Sequence, residues 1–348
     1  MDSQSGRIVT FGEVMLRLSP PGNLRFEQAS SFDVFYGGGE ANVAVSLARL
    51  GQDVEYVTRL PAGPLGSACV QSLRKHGVGT AFIVVGGDRL GIYFLEKGAG
   101  PRPSHVVYDR AESAFARIEP GMVDWADVFK TGSWFHWTGI TPAVSESAAA
   151  ACLEAVRYAK KVGVTVSCDL NYRKKLWKWG RPAGDVMAEM VALCDCVIGN
   201  EADMGDVFGI LPVETDVTTG EIDGRRYELV CRELSQRFPK LRTIAITLRG
   251  SYSADHNSWS AVCWNGGDML YAPIHQIHQI RDRVGGGDSF AAGLIYGIQA
   301  FGENMARALE FAVAASCLKH TIQGDANLVT LSEIEQLMDG DASGRISR

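Results

Sequence analysis

The sequence predicts an α/β protein of three layers, a mostly parallel sheet covered by helices on both faces, with a small β-sheet set over its end. Two observations predict the layers: short β-rich apolar runs recur along the chain, and helical patterns fill several of the intervals between them. A third predicts the small sheet. Residues 14–36 and 88–110 break the rhythm, alternating polar with apolar and lacking helical spacing.

The apolar runs are residues 8–11, 54–57, 82–85, 134–137, 164–168, 196–198 and 243–248. Near-continuous apolar runs suit strands buried on both faces. Between them, residues 40–50 place Val43, Leu47 and Leu50 on one helical face, and residues 147–161 place Leu153, Val156 and Ala159 likewise. Phe26, Phe32, Val34 and Tyr36, then Ile92, Phe94, Val106 and Tyr108, mark strands with one exposed face. Such a sheet would project from the main one and close over a cleft as a lid, with Gly12, Gly37, Gly38, Gly39, Gly86 and Gly87 available as hinges. Residues 212–227 read as a surface connection or a poorly formed helix, and residues 339–348 as a mobile tail. The expected organisation is one domain over residues 1–338 with lid strands drawn from 14–36 and 88–110.

Composition narrows the function classes. With 348 residues, 46% of them hydrophobic and 21% charged, the chain can bury a sizeable core. A net charge of −6 argues against a nucleic-acid or anionic-membrane partner, so an anionic ligand must be held by a few local cations. No apolar segment is long enough to span a bilayer, and the first residues carry no secretory pattern, so a cytoplasmic location is expected. Eight cysteines lack a Cys-x-x-Cys pair; Cys194 and Cys196 alone lie close, and buried thiols are expected rather than a zinc site.

The segment richest in chemistry is Arg283-Val284-Gly285-Gly286-Gly287-Asp288-Ser289-Phe290, after which Phe290, Leu294, Ile298 and Phe301 recur at helical spacing. Three glycines ahead of a helix allow close backbone approach, and the unpaired amides of its first turn make an anion site. A carboxylate beside an anion site suits a base that takes a proton from an attacking hydroxyl; Asp288 as a plain N-cap is the competing reading. No Gly-x-x-x-x-Gly-Lys-Ser/Thr run occurs, which excludes a P-loop. The earlier run Gly37-Gly38-Gly39-Glu40-Ala41-Asn42 also precedes a helix, but lacks Gly-x-Gly-x-x-Gly spacing after a first strand and so fits a dinucleotide fold poorly.

These two runs together resemble the paired signatures of the ribokinase-like, PfkB-type carbohydrate kinases, and the similarity extends over nearly the whole chain to Gly324-Asp325. Within that family the chain looks most like the 2-keto-3-deoxygluconate kinases. The family's second run usually reads Gly-Ala-Gly-Asp, so Gly286 is a departure, as is Arg283-Val284 before it. The resemblance implies Asp288 as catalytic base and the amides of Gly285, Gly286 and Gly287 as the anion hole. It implies Gly37, Gly38, Asn42, Tyr93, Tyr108, Arg110 and Arg173 around the sugar. On the ATP side it implies Asn171, Arg173, Asn200, Thr247, Arg249, Gly250, Gly285, Gly287 and Ala315. Asp203 matches a glutamate of the family's metal element, one methylene shorter, and implies a water-mediated Mg2+ contact. ATP and Mg2+ are thus the implied cofactors, with activation by a monovalent cation left open, and a homo-oligomer through the lid strands the implied assembly.

A sugar acid carries a carboxylate that guanidinium binds in two-point fashion, so Arg110 and Arg173 favour 2-keto-3-deoxygluconate over fructose or ribose. Another sugar kinase, or a non-catalytic sensor that keeps the pocket, are the alternatives. Asn171, Arg173 and Asn200 follow apolar runs, where open α/β sheets bind ligands. His275 and His278 would face opposite sides of a strand, which makes a metal pair unsuitable, and Trp177 and Trp179 read as packing beside a basic rim.

Overall fold

The computed structural model describes residues 6–212 and 223–340. Its strands in chain order are β1 (Arg7–Phe11), β2 (Met15–Ser19), β3 (Asp33–Gly37), β4 (Val54–Val57), β5 (Arg59–Leu60), β6 (Val84–Val85), β7 (Ile92–Glu96) and β8 (His105–Asp109). There follow β9 (Gly132–Thr138), β10 (Thr165–Asp169), β11 (Cys196–Asn200), β12 (Thr243–Ser251), β13 (His256–Trp264), β14 (Met269–Tyr271) and β15 (His275–His278). The α-helices are α1 (Gly39–Arg49), α2 (Pro64–Lys75), α3 (Trp125–Val128), α4 (Ile140–Val144), α5 (Glu146–Lys161) and α6 (Ala183–Val191). They continue with α7 (Asp203–Phe208), α8 (Glu228–Arg237), α9 (Gly286–Phe301), α10 (Met305–Lys319) and α11 (Leu331–Met338).

The main sheet runs β14-β13-β12-β11-β10-β9-β1-β4, with β15 also on β13. From β4 to β12 every pairing is parallel; β13, β14 and β15 add an antiparallel edge. Alternation along the strands feeds two cores. Val9 and Phe11 of β1, Phe135 and Trp137 of β9 and Ile244 and Ile246 of β12 join one core with α5, α6 and α8. Ile8, Trp134 and Ala245 join the other with α1, α9 and α10. A strand apolar on both faces is stable only between two helical layers, which is the architecture its sequence predicts.

The stretches without helical rhythm supply a separate sheet, β3-β2-β7-β8. β2 and β7 are parallel; the outer pairings are antiparallel. β8 is exposed along its length, whereas β2 is almost wholly buried.

One expected main-sheet strand is corrected. Of residues 82–85, only Val84 and Val85 are extended, and they pair with Arg59 and Leu60 in a two-stranded sheet of their own. Phe82 and Val84 pack against one large core, so the apolar character of that run serves covering rather than sheet formation. Of residues 212–227, positions 213–222 lie outside the described residues; Gly224–Tyr227 form a 3-10 turn that leads into α8. The expected tail lies outside them too, beyond Gly340.

Candidate active site

The glycine turn before α9 is shaped by what surrounds it. Asp282 Oδ1 accepts the Val284 amide at 3.1 Å and holds the entry to the turn. Gly285 caps α9 at φ 84°, ψ 2°, a left-handed conformation. A side chain there would also collide with the Asp325 carbonyl, so only glycine fits. The Gly286 amide reaches the Arg283 carbonyl at 3.4 Å, while the amides of Gly285, Gly287 and Asp288 meet no acceptor among the described residues. Those orphan donors, at the positive end of a 16-residue helix, are able to receive an anion. A Cβ on Gly287 would touch nothing within 4 Å; this face of the turn is open.

The departure at Gly286 has a steric cause. A methyl there would stand 2.9 Å from Cε1 of His320, whose Nδ1 lies 2.8 Å from the Ser316 carbonyl. Burial pulls the His320 pKa down to about 4, so the ring is neutral at pH 7. Ser316 Oγ in turn donates to the Gly286 carbonyl at 2.7 Å. The imidazole fills the room that an alanine methyl would take.

Asp288 is the third residue of α9, not its cap, and its carboxylate does not serve the helix end. Oδ2 instead accepts Asn42 Nδ2 of α1 at 2.7 Å. Burial raises the Asp288 pKa to about 6, opposed by the Asn42 hydrogen bond and by Arg173. The carboxylate is therefore mainly ionised at pH 7 yet basic enough to take a proton. The first glycine run brings Asn42 here: a side chain on Gly38 would strike the Glu13 carbonyl, and α1 starts at Gly39.

Both runs open on one cavity of about 860 Å³ between the small sheet and the carboxyl ends of the main strands. From the small sheet and the segment after it, Tyr93, Tyr108 and Arg110 line it; from the strand ends, Asn171, Arg173, Asn200, Asp203, Thr247 and Arg249. Asn171 holds φ 37° just after β10. Its own amide donates to Asp169 Oδ1 at 3.1 Å. Asn200 Oδ1 accepts the amides of Ala202 and Asp203 at 2.8 and 3.2 Å and turns the chain into α7. Arg173 is exposed, with Nη1 on the Tyr172 carbonyl at 3.1 Å. Tyr93 is buried, donates its hydroxyl to Asp325 Oδ1 and lies 6.0 Å from the exposed Tyr108 ring.

Three expected positions do not line the cavity, and a fourth lines it as part of an ion pair. Gly250 pairs with Ser258 within the sheet and does not face the cavity. Ala315 is buried in the core between α10 and α11, where its carbonyl accepts Asn327 Nδ2 at 3.0 Å. Gly37 packs against Asp325, its missing Cβ 2.5 Å from Cγ, instead of lining the cavity. Arg110 lines the cavity but is not a free cation: Nε donates to Glu13 Oε2 at 2.8 Å and Nη2 to the same oxygen.

Sequence reasoning passed over Glu13, Asp169, Asp206, Arg283, His320 and Asp325, all of which line the cavity. For Asp325 a signal existed: it stands in the last segment of the family resemblance, after a glycine.

The donor set fits a nucleotide accompanied by a divalent cation. Arg173, Arg249 and Arg283 bring cations to the walls, and the open face at Gly287 gives a phosphate access to bare amides. Among the described residues no three ligating side chains cluster as a metal cage. Magnesium held chiefly by phosphates and water needs only one or two carboxylates. Asp203 and Asp206 line the wall; the two oxygens of Asp203 also accept the amides of Tyr172 and Asn200 at 3.2 and 2.9 Å, which braces two strand-end loops.

An open α/β sheet, a glycine-capped anion turn and a basic carboxylate beside it together define a phosphoryl-transfer enzyme of the ribokinase-like fold. The profile described as pfkB family carbohydrate kinase matches residues 5–330, and the chain belongs to that family. It is 33% identical over 340 residues to the 2-dehydro-3-deoxygalactonokinase of Haloferax volcanii, covering 98% of this chain and 99% of that one. To the 2-dehydro-3-deoxygluconokinase of Thermoproteus tenax it is 29% identical, over 95% and 94% of the two chains. The crystal structure of 2-dehydro-3-deoxygluconokinase from Thermotoga maritima superposes with a TM-score of 0.91 at 46% identity, covering 96% of this chain and 100% of that one. Among the described residues no helix is long and apolar enough to cross a membrane.

Proposed function

We propose that this carbohydrate kinase transfers the terminal phosphate of ATP to the 6-hydroxyl of 2-keto-3-deoxygluconate. One observation carries the reading: Asp288 is held by Asn42 of the first glycine run at the mouth of the unfilled amides of the second. In that position Asp288 accepts the hydroxyl proton as the sugar oxygen attacks phosphorus. The bond to the bridging oxygen breaks, and ADP leaves. The amides of Gly285 and Gly287, with Arg173 and Arg249, face the charge on the transferring group. Asp203 and Asp206, on the cavity wall, would hold a Mg2+ bound with the nucleotide, which would supply further neutralisation of the phosphates.

For the carboxylate of the sugar, Arg110 offers Nη1, since Nε and Nη2 are taken by Glu13. Arg173 offers the nitrogens not used by Tyr172. The relatives support a 2-keto-3-deoxy sugar acid, and their names divide over the configuration at C4. A monovalent cation is not required in this reading, because the acidic pair beside the turn, Asp282 and Asp325, already faces Arg17 and Lys319. A homodimer through the small sheet is part of it: β8 is an open edge, exposed throughout.

ADP release measured with 2-keto-3-deoxygluconate, its C4 epimer, fructose, ribose and adenosine tests the substrate class. Turnover of one or both keto-deoxy acids and of none of the others is the expected outcome. Preference for a neutral sugar, or binding across the panel without ADP release, would sink the proposal.

A further inference from the structure

The side chain of Arg17 is completely buried although it belongs to β2, in the small sheet. Each of its three nitrogens donates a hydrogen bond. Nε donates to Ser19 Oγ at 2.8 Å, Nη1 to Asp325 Oδ2 at 3.1 Å and Nη2 to Asp282 Oδ2 at 2.5 Å. Both carboxylates stand beside the glycine turn, Asp325 with its carbonyl against Gly285, but they brace different neighbours. Asp282 holds the Val284 amide at the entry to the glycine turn, and also accepts the Gly324 amide at 3.1 Å. Asp325 lines the cavity and accepts the hydroxyl of Tyr93 from β7. One rigid fork therefore joins the small sheet, the acceptor side and the start of the anion turn.

We infer that Arg17 is a positioning residue that couples the sugar site to the nucleotide site. Occupation of the acceptor side fixes Asp325 and Tyr93, and through the guanidinium fixes Asp282 and the turn whose amides take the phosphate. Such coupling is reciprocal, so nucleotide tightens sugar binding by the same factor. A lysine cannot replace the fork, because one ammonium on a flexible stem does not hold two carboxylates in a set plane.

The inference rests on the sugar-acid kinase reading, and the two fail separately. A wild-type protein that phosphorylates no keto-deoxy acid defeats that reading, whereas coupling is read from binding alone. The experiment titrates β,γ-methylene-ATP with Mg2+ into the full chain, with and without 2-keto-3-deoxygluconate. Wild type should show mutual tightening of about tenfold, within the usual range of coupling. Asp288→Asn, which leaves the fork intact, should keep it. Arg17→Lys should lose it and show a fall in kcat greater than the rise in either KM.

Arg17→Met strands two buried carboxylates and can fail to fold; the double variant Arg17→Met with Asp282→Asn restores charge balance. A salt bridge that is merely structural predicts that fold, coupling and kcat all return in the double variant. The positioning role predicts a folded protein whose coupling and kcat stay low. Coupling retained in Arg17→Lys or in the double variant, or absent from wild type, overturns the inference.

Discussion

Asn42 Nδ2 lies 2.7 Å from Asp288 Oδ2, so the helix that follows the first glycine run donates a hydrogen bond to the carboxylate on the helix that follows the second. The bond favours the charged form of Asp288, whereas burial favours the neutral form; burial wins, and the pKa settles at about 6. The rate should accordingly fall tenfold per pH unit below about 6, as the base becomes protonated. Asn42→Ala should move that limb to higher pH, since the lost donor had stabilised the carboxylate. Asp288→Asn should lower kcat by about 10²–10⁴-fold while leaving nucleotide binding in place. Initial rates from pH 5 to 8 for the three proteins check this; near-normal turnover in Asp288→Asn would remove the assigned base.

Gly287 separates fold from function. It lies within α9 and outside the left-handed region, and a methyl there would meet no protein atom within 4 Å. Gly287→Ala should therefore keep or raise stability, by up to about 1 kcal/mol from helix propensity. In the proposed mechanism the same methyl would stand where the phosphate approaches the amides, and displacement by about 1 Å can cost 10²-fold in rate. Thermal melting with steady-state kinetics distinguishes the two effects. A variant both stable and fully active would mean that the phosphate does not use this face.

Gly286→Ala should behave differently, because its methyl meets the His320 ring at 2.9 Å and that ring is fixed by Ser316. Loss of melting temperature and of activity together is expected here. Adding His320→Ala, which vacates the space, should recover part of the stability. No recovery in the double variant would show that the glycine is required for another reason.

Much of this fold is legible in the sequence because a strand buried between helical layers and a partly exposed strand of the small sheet leave different patterns, as β9 and β3 show. Alternation was less informative about which face is dry. Arg17 sits between Leu16 and Leu18, where a charged residue suggests the solvent side, yet it is sealed against Asp282 and Asp325. That pairing spans more than two hundred residues and leaves no local trace. For the same reason Arg110 reads as a free cation in sequence, because Glu13, its partner, lies 97 residues away. Gly250 sits beside a lining position, Arg249, and Ala315 lies on α10 shortly before another, His320 at the end of that helix; sequence adjacency cannot say which side chain points inward.

Glu40 offers a pH test independent of catalysis. Its buried carboxyl accepts the Thr138 amide, Thr138 Oγ1 and Thr141 Oγ1 at 2.9, 2.9 and 2.7 Å, yet burial still raises its pKa from 4.5 to about 7. The folded protein thus keeps a proton that the unfolded chain releases above pH 4.5. Stability from this group is fully present below 4.5, declines as pH rises, and is gone above about 7; the total is on the order of 3 kcal/mol. Glu40→Gln should flatten that part of the stability–pH curve in urea titrations between pH 4.5 and 8. An unchanged slope would mean that the carboxyl is ionised throughout.

The charge count beside the anion turn decides whether a further cation is needed. Asp282 and Asp325 are the acidic pair here; Arg17 contacts both, at 2.5 and 3.1 Å. The buried ammonium of Lys319 faces the same two carboxylates, with Nζ on the Ile322 carbonyl at 3.2 Å. Two fixed cations thus offset the pair at the turn, while the third carboxylate near Lys319, Asp288, is the one proposed to take the proton. Desolvating a loose potassium or sodium ion there would add charge where none is uncompensated. Activity at constant ionic strength should be the same in potassium, sodium and tetramethylammonium chloride. Lys319→Met removes one internal cation, leaves a carboxylate unmatched and should make the rate respond to potassium. A wild-type enzyme that already needs potassium would show that the lysine does not balance this site.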